Sequence, residues 1–324
     1  MLGKLSNITA NLSDDIKYFD QQIDNCFTNE RYLLREMIDY WFERKGKRIR
    51  PILTLLVANM QGKATDATYR SAAVLELIHT ASLIHDDVLD ASSLRRGRET
   101  ANKMWGNNSA ILFGDYLYGK CMEFIVSPQD FALMPIYSKV AMSLPKGELL
   151  QKSASDSGIY SEQVYFDIIY NKTASLLEAS CEIGVLTCGN TTRLQQMKEV
   201  GKNLGIAFQI KDDILDLSLN KTEEKPIGND IREKKITLPV AYFLQGLNEE
   251  RRNQTLAFIM SDNKSDSSIE QLIKDVHCSS GIEQAQQKVD LYSKEAIKLI
   301  KQEKSTPYQD DMLSLIDFLI DRNK

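Results

Sequence analysis

Two stretches of the chain carry the same acids in the same order, Ser82-Leu-Ile-His-Asp-Asp-Val-Leu-Asp90 and Phe208-Gln-Ile-Lys-Asp-Asp-Ile-Leu-Asp216. On a helix Asp86 and Asp90 share one face, Asp212 and Asp216 do likewise, and Asp87 and Asp213 lie about 100° around it. Each pair is spaced to grip a cation between successive turns. Like charges at that spacing oppose a helix by roughly 0.2–0.5 kcal/mol per pair. The apolar neighbours Leu83, Ile84, Val88 and Leu89 indicate a buried face, where carboxylates need a counter-charge. With only His79, His85 and His277 in the chain, oxygen ligands favour Mg²⁺ over zinc. Mg²⁺ keeps waters and completes its shell with phosphate oxygens, so a diphosphate shared by the two helices is the natural ligand. Either cluster alone would fit the aspartates of a helix terminus equally well; their recurrence favours the metal.

A bound diphosphate needs further positive charge. Basic residues gather in three places: Lys47, Arg48 and Arg50; Arg95, Arg96 and Arg98; and Lys225, Lys234 and Lys235. Arginine forks match phosphate oxygens at two points, whereas lysine acts as a mobile point charge. Arg95 and Arg96 follow Asp90 closely enough to fold back over the mouth of that helix. For Arg48 and Arg98 a solvated loop is the better reading. Lys172-Thr173 interrupts an apolar run and can point a cation and a hydroxyl into the same cavity. His79 lies two turns before Asp86 and is divided evenly between phosphate donor and core histidine. Gln209, one turn before Asp213, is divided between packing and substrate contact. His85 is rotated away from the cluster by its adjacency. Gly-x-Ser-x-Gly, Gly-x-Gly-x-x-Gly and a phosphate loop ending Gly-Lys-Ser/Thr are all absent, which removes the signatures of serine hydrolases, dinucleotide binders and nucleotide triphosphatases.

Helices must position these residues. Apolar residues recur three and four apart from Leu33 to Phe42, Ala72 to Leu89 forms a long helix, and Ile111 to Val126 carries a broad apolar stripe. No proline occurs between Lys146 and Lys225, and strand alternation is nowhere sustained, so the chain is read as all-α. Loops are expected at Gly62–Thr68, Ser92–Asn108, Ser127–Asp130, Ser218–Lys235 and Ser261–Ser268, with Pro51 in the first turn of a helix. None has the composition of an interdomain linker, and residues 1–324 are read as one helical domain. The 324 residues are 43% hydrophobic and 26% charged, with net charge -5. That composition fits a globular protein and argues against nucleic acid as the partner. No run is apolar and long enough to span a bilayer. Five cysteines without a Cys-x-x-Cys pair point to a reducing cytoplasm.

The ordered set of motifs resembles the trans-isoprenyl diphosphate synthases, or polyprenyl synthetases, over about residues 30–320. The matching stretches are Gly46-Lys-Arg-Ile-Arg-Pro51, Leu77-Ile-His79, Leu83–Asp90, Arg95-Arg-Gly97, Gly147-Glu-Leu-Leu-Gln151, Lys172-Thr173, Phe208-Gln209, Asp212–Asp216, Lys225-Pro-Ile-Gly-Asn-Asp230 and Lys235-Ile-Thr-Leu-Pro239. The resemblance implies an all-helical bundle around a deep central cavity, usually a homodimer. The implied reaction is head-to-tail condensation of an allylic diphosphate with isopentenyl diphosphate. It makes Asp86, Asp90 and Asp212 the principal ligands of three Mg²⁺ ions, with Asp87, Asp213 and Asp216 in support. Lys172 and Lys235 join those ligands in the catalytic set. Arg95, Lys172, Thr173, Gln209, Lys225 and Lys235 would contact the allylic substrate, and Lys47, Arg50, His79 and Arg96 would hold isopentenyl diphosphate. Two departures stand out. Lys45-Gly46 replaces the family's common Gly-Gly, the remaining glycine being expected to allow the turn, and Lys234 occupies a place where the family often has glycine.

Five and four residues before Asp86 lie Ala81 and Ser82. In this family a bulky residue there would resemble a floor that stops product growth. Their size leaves the tunnel open, with Ile78, Leu77 and Val74 as deeper boundaries, and implies a product of about 30 to 40 carbons, heptaprenyl or octaprenyl diphosphate. Such a product would resemble the side-chain precursor of a respiratory quinone. Small residues also serve close helix packing. The competing readings are a farnesyl or geranylgeranyl synthase, a terpene cyclase, a non-catalytic subunit, and the catalytic chain of a heterodimer. The second Asp-Asp-x-x-Asp and Arg95-Arg96 weigh against the cyclase.

Overall fold

The computed structural model describes residues 2–43, 46–95, 97–126, 131–219 and 228–321. The chain begins with α1 (Leu2–Ile8), α2 (Ser13–Asn25), α3 (Tyr32–Glu43), α4 (Ile49–Gln61) and α5 (Asp66–Leu89). A minimal antiparallel hairpin follows, β1 (Leu94–Arg95) and β2 (Arg98–Glu99), with Arg95 opposite Arg98. Then come α6 (Ala101–Val126), α7 (Met134–Ser157), α8 (Glu162–Ile169), α9 (Ser175–Thr187), α10 (Leu194–Asp216), α11 (Asn229–Arg232) and α12 (Leu238–Gln245). Helices α13 (Glu249–Met260), α14 (Asp266–His277), α15 (Gly281–Ile300) and α16 (Pro307–Ile320) complete it. The all-α expectation holds among the described residues, the hairpin being the one sheet.

Contacts divide the chain into two compact units. The first comprises Met1–Met142, Leu176–Gly201 and Leu299–Leu315. Its core element is α5, which packs against α2, α4 and α6. Thr65 starts α5 with a capping box: its hydroxyl accepts from the Thr68 N–H, and its own N–H donates to the Thr68 hydroxyl at 3.0 Å. Ala72, Val74, Leu75, Leu77, Ile78, Ala81 and Ile84 of α5 are all buried, so apolar contact holds it on several sides. On α6, a Cβ at Gly114 would lie 2.2 Å from His85 Nε2. His85 turns into this gap, 3.1 Å from the Ile111 carbonyl and 3.4 Å from Asp115 Oδ1.

The second unit comprises Ser143–Ser175, Lys202–Lys298 and Ile316–Lys324. One core cluster joins Tyr165, Ile169 and Ala174 to Ile206, Ala207 and Ile210, with Leu238 and Tyr242 of α12 and Ala285 and Val289 of α15. A second gathers Leu217, Ile231, Val240 and Phe243 with Ile269, Ile273 and Val276 of α14. Helix α8 starts at a Ser161 cap, whose hydroxyl accepts from the Val164 N–H at 3.1 Å. At its other end α8 passes into a π turn, Tyr170–Ala174, in which the Ser175 N–H reaches back five residues to the Tyr170 carbonyl. Lys172 and Thr173 lie in that turn.

Three loop boundaries differ from those read in the sequence. The Ser92–Asn108 loop is shorter, because α6 begins at Ala101 and runs through a kink at Gly106, whose φ of 82° only glycine adopts without strain. The Gly62–Thr68 and Ser261–Ser268 loops each end early, at the Thr65 and Ser265 caps. In the Ser218–Lys235 stretch the described part contains α11; Ser127–Asp130 lies outside the described residues.

The π turn is held close to α10, since a Cβ at Gly205 would lie 2.5 Å from Ala174 Cα. Gly205→Ala is therefore expected to destabilise the protein by about 1–3 kcal/mol through overpacking. Denaturant unfolding measures this; unchanged stability would mean that the two segments are free to move apart.

Candidate active site

The first acidic cluster sits at the end of α5. Asp86 is half-buried, Asp90 is exposed at the C-cap, and Asp87 is fully buried. Arg95 Nε donates to both Asp87 oxygens, at 2.8 and 2.9 Å. The hairpin carrying Arg95 is itself pinned. Arg98 stacks over the Tyr40 ring at 4.0 Å and pairs with Glu43 at 2.8 Å, while the Tyr40 hydroxyl donates to the Glu99 carbonyl at 2.8 Å. Gly97, with φ 73°, makes its tight turn. Arg96 lies outside the described residues.

A cavity of about 100 Å³ in the first unit is lined by His79, Arg48, Arg95 and Arg98 together with Tyr40 and Trp41. Not every basic residue expected near His79 lines this cavity. Lys47 is exposed and borders another cavity beside Pro51 and Phe19, and Arg50 is half-buried on α4 and absent from the lining described for the His79 cavity. Arg48, weighed as a loop cation, faces that cavity instead. The cause is local: Arg48 caps α4 in the left-handed conformation, φ 52°, with its guanidinium over Phe19 and paired with Asp20. The left-handed residue described in this turn is thus Arg48, whereas the glycine at 46 was expected to supply the freedom. Arg98, also weighed as a solvated-loop cation, is structural as well as cavity-lining.

The second cluster ends α10. Asp213 is buried, and each of its oxygens has a donor: Oδ1 accepts from Gln209 Nε2 at 2.8 Å and Oδ2 from the Tyr165 hydroxyl at 2.5 Å. Gln209 Oε1 accepts in turn from the Thr173 hydroxyl at 2.6 Å. Burial pushes the Asp213 carboxyl up to about 7, against the pull of those two donors, and burial also holds the Tyr165 hydroxyl well above its ordinary value. The Tyr165 hydroxyl donates in that pair. Asp212 and Asp216 are half-buried. Asp216 accepts from the Asn229 and Asp230 N–H groups, at 3.2 and 3.0 Å, so it caps α11.

Lys172, raised on the π turn, reaches Glu148 at 2.5 Å and Gln151 at 2.9 Å on α7. Gly147 makes room for it, because a Cβ there would come within 2.6 Å of Lys172 Cγ. Lys235 pairs with Glu233, and Lys234 with Asp262 at 2.5 Å. Lys234 takes φ 61°, which accounts for the glycine expected at its place. Lys172, Gln209, Asp213, Lys234 and Lys235 line one cavity of about 150 Å³ in the second unit, with Gln151, Tyr165 and Asp230 beside them. Lys225 lies outside the described residues.

Glu148, Gln151, Tyr165 and Asp230 were assigned no role from sequence. Three of them lie in stretches that carry the family resemblance. Tyr165 had no local signal, its partner being 48 positions away. Of the positions proposed to set product length, Ala81 and Ile78 are buried and Ser82 is half-buried, its hydroxyl donating to the His79 carbonyl at 2.9 Å. Among the described residues no three His, Cys, Asp or Glu side chains form a group able to hold a metal by themselves.

The polyprenyl synthetase family model matches residues 31–276. An all-trans-nonaprenyl-diphosphate synthase (geranyl-diphosphate specific) of Rhodobacter capsulatus is 31% identical over 98% of this chain and 97% of its own. A short chain isoprenyl diphosphate synthase of Methanocaldococcus jannaschii is 33% identical over 83% and 81%. The crystal structure of a decaprenyl diphosphate synthase from Rhodobacter capsulatus superimposes with a TM-score of 0.93 at 30% identity, covering 99% of each chain.

Removing one partner of a buried charge pair leaves the other without its donor. Arg95→Met is expected to cost roughly 1–3 kcal/mol of stability, and Arg95→Met with Asp87→Leu to recover much of it. Urea unfolding of the two variants tests this; equal losses would show that Asp87 does not depend on Arg95.

Proposed function

We propose, from the premise that this chain belongs to the polyprenyl synthetase family and is a prenyltransferase, that it joins isopentenyl diphosphate head-to-tail to an allylic diphosphate. The carrying observation is the pair of matched acidic clusters, each with its middle aspartate turned inward and the others at intermediate or exposed positions. Residues 1–324 act as one catalytic domain; the family match extends through segments of both compact units.

The donor set suits Mg²⁺. It consists of hard carboxylate oxygens, which suit an ion whose shell substrate phosphate and water complete. Asp86, Asp90 and Asp212 would hold Mg²⁺, three ions per site by the family resemblance, with Asp87, Asp213 and Asp216 behind them. Bound there, the ions neutralise charge on the departing diphosphate. Arg95, Lys172, Thr173, Gln209, Lys225 and Lys235 attend the allylic diphosphate, and His79, Lys47, Arg50 and Arg96 attend isopentenyl diphosphate, with Arg48 added to that set by its place in the His79 cavity.

The chemistry conserves electrons throughout. The allylic C–O bond breaks with its electron pair leaving on diphosphate, while Lys172 and Lys235 stabilise the negative charge that develops. The double bond of isopentenyl diphosphate then forms a C–C bond to the cationic carbon. A proton passes to the released diphosphate, leaving a product longer by one trans five-carbon unit. The protein's share is to hold the two carbons close and keep water from the cation.

Ala81 and Ser82 leave room behind Asp86, which supports a product of 30 to 40 carbons, heptaprenyl or octaprenyl diphosphate, suited to a quinone side chain. Likeness to the short chain synthase favours a second reading, a shorter product. The exposed apolar side chains Ile111, Leu112, Met122 and Val126 on α6 support pairing with a second copy; a different partner chain is the alternative. No helix among the described residues is long and apolar enough to cross a membrane, and we place the enzyme in the cytoplasm.

Incubating the purified chain with Mg²⁺, labelled isopentenyl diphosphate and each allylic primer, then sizing the products, tests the reaction and separates these lengths. Asp86→Ala and Asp212→Ala are each expected to abolish most condensation while circular dichroism keeps its helical signal; near-normal turnover by either would remove that residue from the ligands. Ala81→Phe with Ser82→Phe is expected to shift the product ladder to shorter chains, and an unchanged ladder would place the tunnel elsewhere.

A further inference from the structure

We propose that Tyr165 is a positioning residue for the second metal-binding cluster, holding Asp213 through its hydroxyl so that α10 presents Asp212 at a fixed angle beside the Lys172 turn. This rests on Asp212 being an Mg²⁺ ligand.

The geometry is that of a double anchor. Asp213 is tied directly to Tyr165 on α8, and through Gln209 to Thr173 in the π turn that continues α8. Both ties start from one continuous segment, one before the π turn and one within it. They converge on one carboxylate in the last turn of α10, next to Asp212. A helix end can twist about its axis, and a buried carboxylate held at both oxygens stops that motion for its neighbours. Lys172 belongs to the anchoring segment. The anchor therefore fixes a diphosphate-binding cation and a metal-binding carboxylate in one frame. Tyr165 can do this because its ring is packed in the core, edge-on to Phe166 with centroids 5.7 Å apart, and its backbone starts from the Ser161 cap. Groups that orient metal ligands from behind commonly matter ten- to a hundredfold in metal affinity.

Tyr165→Phe removes the hydroxyl and keeps the ring. In the presence of inorganic diphosphate, Mn²⁺ affinity measured by electron paramagnetic resonance is expected to fall about tenfold or more. The Mg²⁺ concentration for half-maximal condensation should rise by a similar factor. Gln209→Met, which removes the other donor to Asp213, should weaken Mn²⁺ binding in the same direction with Tyr165 intact. Wild-type Mn²⁺ affinity in folded Tyr165→Phe, even with a lowered melting temperature, would overturn the proposal and leave Tyr165 a packing residue. Asp212→Asn is the comparator. If it leaves Mn²⁺ binding unchanged, the metal assignment fails and the proposal with it; if it weakens binding while Tyr165→Phe does not, only the positioning role fails.

Discussion

A carboxylate withdrawn from water must be met by donors, or it forces its helix to turn it back out. This chain buries the middle acid of each cluster, Asp87 and Asp213. Asp87 is met by Arg95 Nε, so the hairpin has to come down over the end of α5. Asp213 is met by Tyr165 and Gln209, so α8 and α10 have to lie against each other in register. The outward acids inherit their orientation from these inward ones. Repeating one pattern twice thus turns one acid of each cluster inward as an anchor.

The supporting groups extend that logic. Arg95 is held by a hairpin that Arg98 and Tyr40 tie to α3. Lys172 is steadied by Glu148 and Gln151 and by a glycine that lets α7 approach. Asp216 gives up its oxygens to start α11, the helix that carries Asp230 toward the cavity holding Lys235. The acidic and basic side chains of both clusters are thus presented by short elements that side-chain contacts tie down.

What was legible in the sequence was what repeats or follows a helical period. The two acid clusters, the long α5, the rotation of His85 and the isolated Lys172-Thr173 pair all have a local signature. What escaped depended on partners far along the chain or on backbone conformations that side-chain pattern does not encode. Tyr165 reads as one aromatic among many until Asp213 is beside it. Arg48 and Arg98 read as solvated cations because neither the left-handed cap nor the Tyr40 ring can be inferred from their neighbours. The start of α6 was missed because Asn102, Lys103, Asn107 and Asn108 break up its apolar stripe and Gly106 kinks it. Lys234 shows the reverse case, in which a family preference for glycine was visible before the positive φ that explains it.

The π turn at Tyr170–Ala174 holds one residue more than a regular helix would need for the same rise. That surplus is a phase shift. Residues after it are rotated by about 100° relative to an uninterrupted helix, so Tyr165 upstream and Thr173 within the turn can address the same point on a neighbouring helix despite a spacing that ordinary periodicity does not bring onto one line. Winding the same residues into a regular helix, with none removed, would turn its two halves about 100° out of phase, and they would no longer agree on where the neighbouring carboxylate is. Helical regularity and the double tie to Asp213 are opposed at that position.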